Sequence, residues 1–223
     1  MKSYRKLVLK ACSLLTISII VFGCSGEEKN VAVDAQSAPV ASSVSQTSVE
    51  KIKFKQGDGT EKYSLKFKPD GAKLVDASDS ELARLKVDDS QKVKIKAADE
   101  TVLGYVVTHD GYWKLENADQ SEELYVLRLQ DDGDLKLEDG ADTQIYRVKK
   151  RDYGYEIETP EKESLYKVKV KEGKTSLRDS SEETVLSTKS PIAPAAMTPF
   201  GFDVLTPPQQ AALAYAVNQS GEF

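Results

Sequence analysis

The stretch Leu124–Ile145, LYVLRLQDDGDLKLEDGADTQI, carries the pattern that decides the fold. In Leu124-Tyr125-Val126-Leu127-Arg128-Leu129 and again in Asp134-Leu135-Lys136-Leu137, apolar side chains recur at every second position. Asp131-Asp132-Gly133 separates the two runs, and an acidic linker, Glu138-Asp139-Gly140-Ala141-Asp142, comes after them. Period-two alternation over four to seven residues, bounded by Gly and Asp clusters, predicts half-buried antiparallel strands. Helix is disfavoured, because the apolar residues do not recur at three or four.

The same unit repeats in both directions. The apolar residue opening the second half of each unit falls at Leu82, Leu103, Leu124, Ile145, Leu165 and Val185, spaced by 20 or 21 residues. The residue closing the first half falls at Leu74, Ile95, Leu115, Leu137, Ile157 and Leu177, spaced by 20 to 22. Glycines at 71, 111, 133, 154 and 173 punctuate the series. A period this steady over six units marks a true internal repeat, each unit a hairpin. Ile52, Phe54, Tyr63, Leu65 and Phe67 make a seventh hairpin ahead of them. One face of the resulting sheet is apolar and the other carries Lys and Arg. Seven hairpins in a flat sheet would leave two edges and an apolar face uncovered, so closure into a barrel, a folded sandwich or a hairpin solenoid are the available solutions.

From Ser190 the chain becomes rich in Pro and Ala. Thr206-Pro207-Pro208-Gln209 is a helix start, with Thr206 as N-cap, Pro207 at the first helical position and Gln209 closing a capping box. Ala211 to Val217 is apolar on every side, so the helix must be buried on every side. Twelve residues give a rod of about 18 Å, against about 20 Å for a six-residue strand. The rod is slim and short enough to thread a barrel. The expected fold is therefore mainly β: tandem antiparallel hairpins over 50–218, closed into a barrel with one C-terminal helix, 207–218, inside. Tandem hairpins followed by one apolar C-terminal helix resemble the tubby-like barrel, the group that includes the LURP-one-related and scramblase-type proteins. Barrels of that family have twelve strands around a central helix, whereas seven hairpins give fourteen. Members bind phosphoinositides or membranes, but no ligand residue of the family maps onto this chain. The choline-binding solenoids of cell surfaces use paired aromatics including Trp in every repeat; here Trp113 is alone.

The N-terminus has a different logic. Lys2, Arg5, Lys6 and Lys10 lead into the apolar run Ala11–Phe22, which at twelve residues is shorter than the roughly 20 needed to span a bilayer. Val21-Phe22-Gly23-Cys24 then resembles the lipobox of bacterial lipoproteins, with Phe22 departing from the usual small or aliphatic residue. That resemblance implies a signal peptide over 1–23 and a Cys24 that becomes the acylated first residue, carrying palmitate-type chains. Two or three chains anchor stably, since each buried methylene contributes about 0.8 kcal/mol. Ser25 after the cysteine favours the outer membrane in a Gram-negative host. Residues 24–49 hold no aromatic and no sustained periodicity, and are expected to form a disordered tether with a reach of roughly 25–30 Å.

Composition narrows the function. The 223-residue chain carries a net charge of −5, and the leader removed from it holds four basic residues and no acid, leaving −9. Such a chain is unsuited to nucleic acid. Both cysteines, Cys12 and Cys24, precede residue 25, so no disulfide, thiolate metal site or thiol nucleophile is expected beyond it. His109 is the sole histidine and sits beside a turn, with no nucleophile indicated. Asp131, Asp132, Asp134, Glu138, Asp139 and Asp142 crowd twelve residues, but no calcium-loop spacing fits them. The rows Lys92-Lys94-Lys96 and Lys167-Lys169-Lys171 each project from one sheet face, where they serve as a solvated outer surface or meet anionic lipid or glycan. No catalytic, cofactor or metal site is expected. The reading is a lipid-anchored cell-envelope protein with a non-enzymatic binding or structural role, held to the membrane at Cys24 and meeting an envelope protein or glycan. Two alternatives remain: an envelope hydrolase using acidic residues, or a handler of lipid or other hydrophobic ligands in which the helix moves to leave an apolar cavity.

Overall fold

The computed structural model describes residues 50–223. Cys24, the leader over 1–23 and the tether over 24–49 lie outside the described residues. Fourteen strands run up and down in chain order: β1 (Lys51–Lys55), β2 (Glu61–Lys68), β3 (Gly71–Asp76), β4 (Glu81–Val87), β5 (Val93–Lys96), β6 (Val102–His109) and β7 (Tyr112–Glu116) in the first half. The second half holds β8 (Glu123–Leu129), β9 (Leu135–Asp139), β10 (Gln144–Arg151), β11 (Gly154–Glu158), β12 (Ser164–Lys171), β13 (Lys174–Asp179) and β14 (Thr184–Thr188). Every strand pairs antiparallel with the next, and β14 returns to β1, so the sheet closes into a barrel. The barrel, and not the sandwich or solenoid, is the solution adopted. The strand count matches the seven hairpins read from the sequence.

Successive hairpins alternate between the two ends. At one end all seven connections are broad turns, most of five residues, such as Asp139–Thr143, where the first N–H bonds the carbonyl of the last at 2.9 Å. The residue before the last takes a positive φ, for example Asp142 at 59°, and the pairing shifts by one residue beside the turn. The acidic linkers are explained by this geometry. The Asp139 carboxylate accepts the N–H groups of Ala141 and Thr143, both at 2.9 Å, Asp76 and Asp179 serve their own turns in the same way, and Asp88 does so in a five-residue turn at the opposite end. The opposite end uses four two-residue turns among its connections. In one of them Glu172 and Gly173 both have positive φ, the conformation that matches strand twist in tight hairpins.

The interior is apolar and closed. Leu74, Ile95, Leu115, Leu137, Ile157 and Leu177 form a continuous buried ring. The companion series at Leu82, Leu103, Leu124, Ile145, Leu165 and Val185 is only half-buried or exposed; the pairing shift at each broad turn leaves it at the rim. Down the middle run two helical segments instead of the one expected. A 3₁₀ segment, Pro194–Gly201, packs against β11, β12 and β13, and helix α1, Pro207–Gln219, packs against β4 to β7. Barrel diameter grows with strand number, so fourteen strands enclose room for both. The two segments are antiparallel and tied at each end: Ala193 N–H donates to Asn218 Oδ1 at 2.9 Å, and Gln210 Nε2 to the Phe202 carbonyl at 3.2 Å. Thr206 N–H donates to Gln209 Oε1 at 2.9 Å, as the capping box requires. Ala211 to Val217 are all buried. A Cβ built on Gly201 would stand 2.6 Å from Ile157 Cδ1, so the 3₁₀ segment packs directly on the wall, and a methyl group there would require the Ile157 side chain to shift.

Candidate functional site

With its centre occupied by its own chain, the barrel can offer recognition surfaces only at its ends and outside. The end with the tight turns holds a cavity of about 740 Å³. Strand ends and turns position its walls: Leu129 closes β8, Tyr153 and Tyr155 flank Gly154 at the start of β11, and Val170 lies near the end of β12. Pro194 begins the 3₁₀ segment, and Phe223 comes back over the mouth after α1. Val170 and Phe223, 45% and 41% exposed, add apolar surface to the groove.

Aromatic rings line the descent into the core. Phe223 stacks over Trp113 with centroids 6.1 Å apart and meets Tyr155 edge-on at 6.5 Å. Trp113 is fully buried, and its Nε1 donor has no hydrogen-bond partner among the described residues. Beside it Glu222 Oε1 accepts the Gly111 N–H at 3.1 Å, while its Oε2 is buried and likewise unpartnered. Two polar atoms left without partners at one mouth are uncommon in a folded interior. Burial pushes the Tyr155 hydroxyl above its usual range. Arg151 is committed to Glu156 at 3.0 Å and Glu158 at 3.2 Å, whereas Lys150 has no ion-pair partner among the described residues. The groove thus offers an apolar aromatic floor with the Lys150 cation at its edge, a geometry suited to holding an amphiphilic group.

The residues singled out in the sequence fall elsewhere. His109 ends β6 with its ring stacked on Tyr112 at 4.4 Å, on the rim of a smaller cleft of about 380 Å³ beside Tyr215 and Gln219. The acidic cluster does not converge. Asp134 is buried beneath Lys149 and accepts the Lys150 N–H at 2.7 Å, and Glu138 is held by Arg128 at 2.7 Å and Lys136 at 2.8 Å. Desolvation alone would raise the Glu138 carboxyl, but its hydrogen bonds from Lys136 and Arg128 outweigh it and hold the pKa low. Asp131 lines the mouth groove and Asp142 occupies a turn. In the lysine rows, Lys167 and Lys169 share Glu182 at 2.8 and 2.5 Å, Lys96 pairs with Glu100 at 2.7 Å, and Lys92 and Lys94 lie over the Tyr105 ring. Phe200 and Phe202 are core, packed on Phe54 at 4.7 Å and Tyr146 at 5.4 Å. The mouth itself was not legible: Leu129, Tyr153, Val170 and Phe223 are spread over 95 positions and share no motif. Among the described residues no three His, Cys, Asp or Glu side chains are placed to hold a metal ion, and no helix is long and apolar enough to cross a membrane.

No family model matches the chain, and no curated protein matches it. Among solved structures it is similar to ASR alternansucrase in complex with isomaltononaose, at 14% identity and a TM-score of 0.17. The likeness covers 56% of this chain and 12% of that one, too slight to carry an argument about function.

Proposed function

We propose that the protein is a lipid-anchored component of the cell envelope with a non-enzymatic binding role, in which the tight-turn end of the barrel is the recognition surface. The observation that carries this reading is the filled interior. Two helical segments, buried along their length, occupy the space where a hydrophobic cargo would sit. That tells against a lipid-handling barrel. Six outer-wall glutamates argue similarly against a general acid placed among them. A general acid needs a raised pKa, yet Glu61, Glu81, Glu100, Glu138, Glu156 and Glu182 are all lowered, held by outward-facing Lys, Arg and hydroxyl partners. The outer wall is charged and the inside apolar, the reverse of a membrane-spanning β-barrel, so attachment through a lipid at Cys24 is the consistent arrangement.

The anchor is tested by labelling cells that make the full chain with radioactive palmitate. Wild type should incorporate label and partition with membranes, and Cys24→Ala should lose both while the barrel still folds. Label retained in Cys24→Ala would reject the anchor.

A further inference from the structure

The barrel closes at one place only weakly. β1 and β14 are joined through the single aligned pair Lys55 and Ser187, whereas every other neighbouring pair of strands shares four or more. Next to that pair the contact is tight: a Cβ built on Gly57 would stand 2.6 Å from the Thr184 carbonyl oxygen. Toward Glu50 the strands part. Because the Glu50 carbonyl accepts the Phe67 N–H at 2.9 Å, the even-numbered residues of β1 turn their backbone groups to β2, and those of Lys51 and Lys53 face the gap.

A cleft of about 450 Å³ occupies this gap. Lys51, Lys53 and Lys55 line it from β1, Lys174 from the first residue of β13, and Lys189 from just beyond β14. Among the described residues no Asp or Glu lines it. Residues 50–223 carry 26 Lys and Arg against 33 Asp and Glu, so five lysines gathered around one cleft with a single paired carboxylate, Glu61, run against the composition of the domain. Elsewhere Lys66, Lys73, Lys114, Lys136, Lys167 and Lys169 each have an acidic partner, while Lys62, Lys68, Lys92, Lys94, Lys150 and Lys162 have none among the described residues. Here only Lys53 has one among the described residues, Glu61 at 2.7 Å. Asp58, in the adjoining turn, is engaged by the Thr60 hydroxyl and N–H. The floor adds hydroxyl groups: Ser187 and Thr188 are both buried, and Thr188 Oγ1 accepts the Ser190 N–H at 3.0 Å, leaving its own O–H free to donate.

We propose that the seam cleft is an anion site for phosphate-bearing groups. Four cations without ion-pair partners among the described residues call for more than one negative charge, which a single carboxylate does not supply. A phosphoryl group offers several acceptor oxygens that ammonium, hydroxyl and backbone N–H donors reach from different sides. The group can arrive on a soluble polyphosphate or as the headgroup of an anionic lipid, and both present the same oxygens. The site is independent of the anchor at Cys24 and of the mouth groove.

The test uses the full chain in a neutral detergent at about 0.15 M salt, where exposed charges further apart than about 8 Å are screened. One arm titrates inorganic pyrophosphate by calorimetry; the other adds phosphatidylglycerol to the micelles and tracks the melting temperature. Both are repeated on K174Q/K189Q, on K51Q as a milder variant should the double one fold poorly, and on K92Q/K94Q, which removes the same charge from the Tyr105 face. Saturable pyrophosphate binding, weakened about tenfold by K174Q/K189Q and by less than about twofold by K92Q/K94Q, supports the site with a soluble ligand. A melting-temperature rise with phosphatidylglycerol alone, lost in the seam variants, supports it with a lipid headgroup. No response to either probe, or equal weakening by the two double variants, overturns it.

Discussion

Single side chains on the outer wall set how the protein responds to acid. Glu182 lies between Lys167 and Lys169, and their hydrogen bonds depress its carboxyl to about 2. An unfolded glutamate titrates at about 4.3. The folded state therefore holds fewer protons on this group in between, and its contribution is complete above about 4.3 and lost as the pH falls toward 2. Glu182→Gln should flatten the acid limb: the urea midpoint should fall less between pH 5 and pH 2.5 than in wild type, and identical profiles would deny the ion pair its role. Lys162 poses the converse case. It holds φ at 73° in the turn Thr159–Glu163, a region that disfavours any residue with a Cβ. It makes no ion pair among the described residues, so Lys162→Gly should stabilise by about 0.5–1 kcal/mol, read from chemical denaturation. Gly59 and Gly133 already occupy the equivalent place in their own turns.

At the scale of elements, the strands were legible because burial on one face imposes period two, and the twenty-residue spacing gave their number. Ile95, Leu115 and Leu137 lie where the alternation put them. What escaped the sequence was anything set by an insertion or by sparse hydrogen bonding. The bulges displaced Leu103 and its counterparts to the rim, since one extra residue reverses the face of every residue after it. The 3₁₀ segment escaped because Pro194 and Pro199 break helical periodicity while leaving Ala195 to Gly201 fully buried. Helix α1 was legible, because Thr206-Pro207-Pro208-Gln209 is a start signal and the alanines admit no exposed face. It supports a sharp expectation. Leu213 is 1% exposed, and Leu213→Asp would place a carboxylate inside the barrel with no partner, costing about 3–5 kcal/mol or more. Circular dichroism should show an unfolded or strongly destabilised chain, whereas a soluble variant melting with wild type would remove α1 from the interior.

For the whole molecule the decisive fact is that closure joins the two ends of the repeat array. Thirteen of the fourteen strand junctions are hairpins, held together by covalent turns and by ladders of several pairs; the fourteenth brings β1 to β14 across more than 130 residues and rests on Lys55 and Ser187. The central segments do not reinforce every part of the wall equally. α1 braces β4 to β7 and the 3₁₀ segment braces β11 to β13, while Phe200 reaches β1 through Phe54. Opening should therefore begin at the seam and not spread evenly around the ring, since local unfolding starts where ladder hydrogen bonds are fewest. In native-state hydrogen exchange the backbone amides of Lys51, Lys53 and Lys55, which face β14, should exchange at least about tenfold faster than those of Val126 and Leu127 in β8. A phosphate-type anion bound between Lys174 and Lys189 would link β13 to the end of β14, and so should slow exchange at the seam while leaving β8 unchanged. Uniform exchange around all fourteen strands would mean that the ring opens as one cooperative unit, and the seam would lose its standing as the place where this barrel yields first.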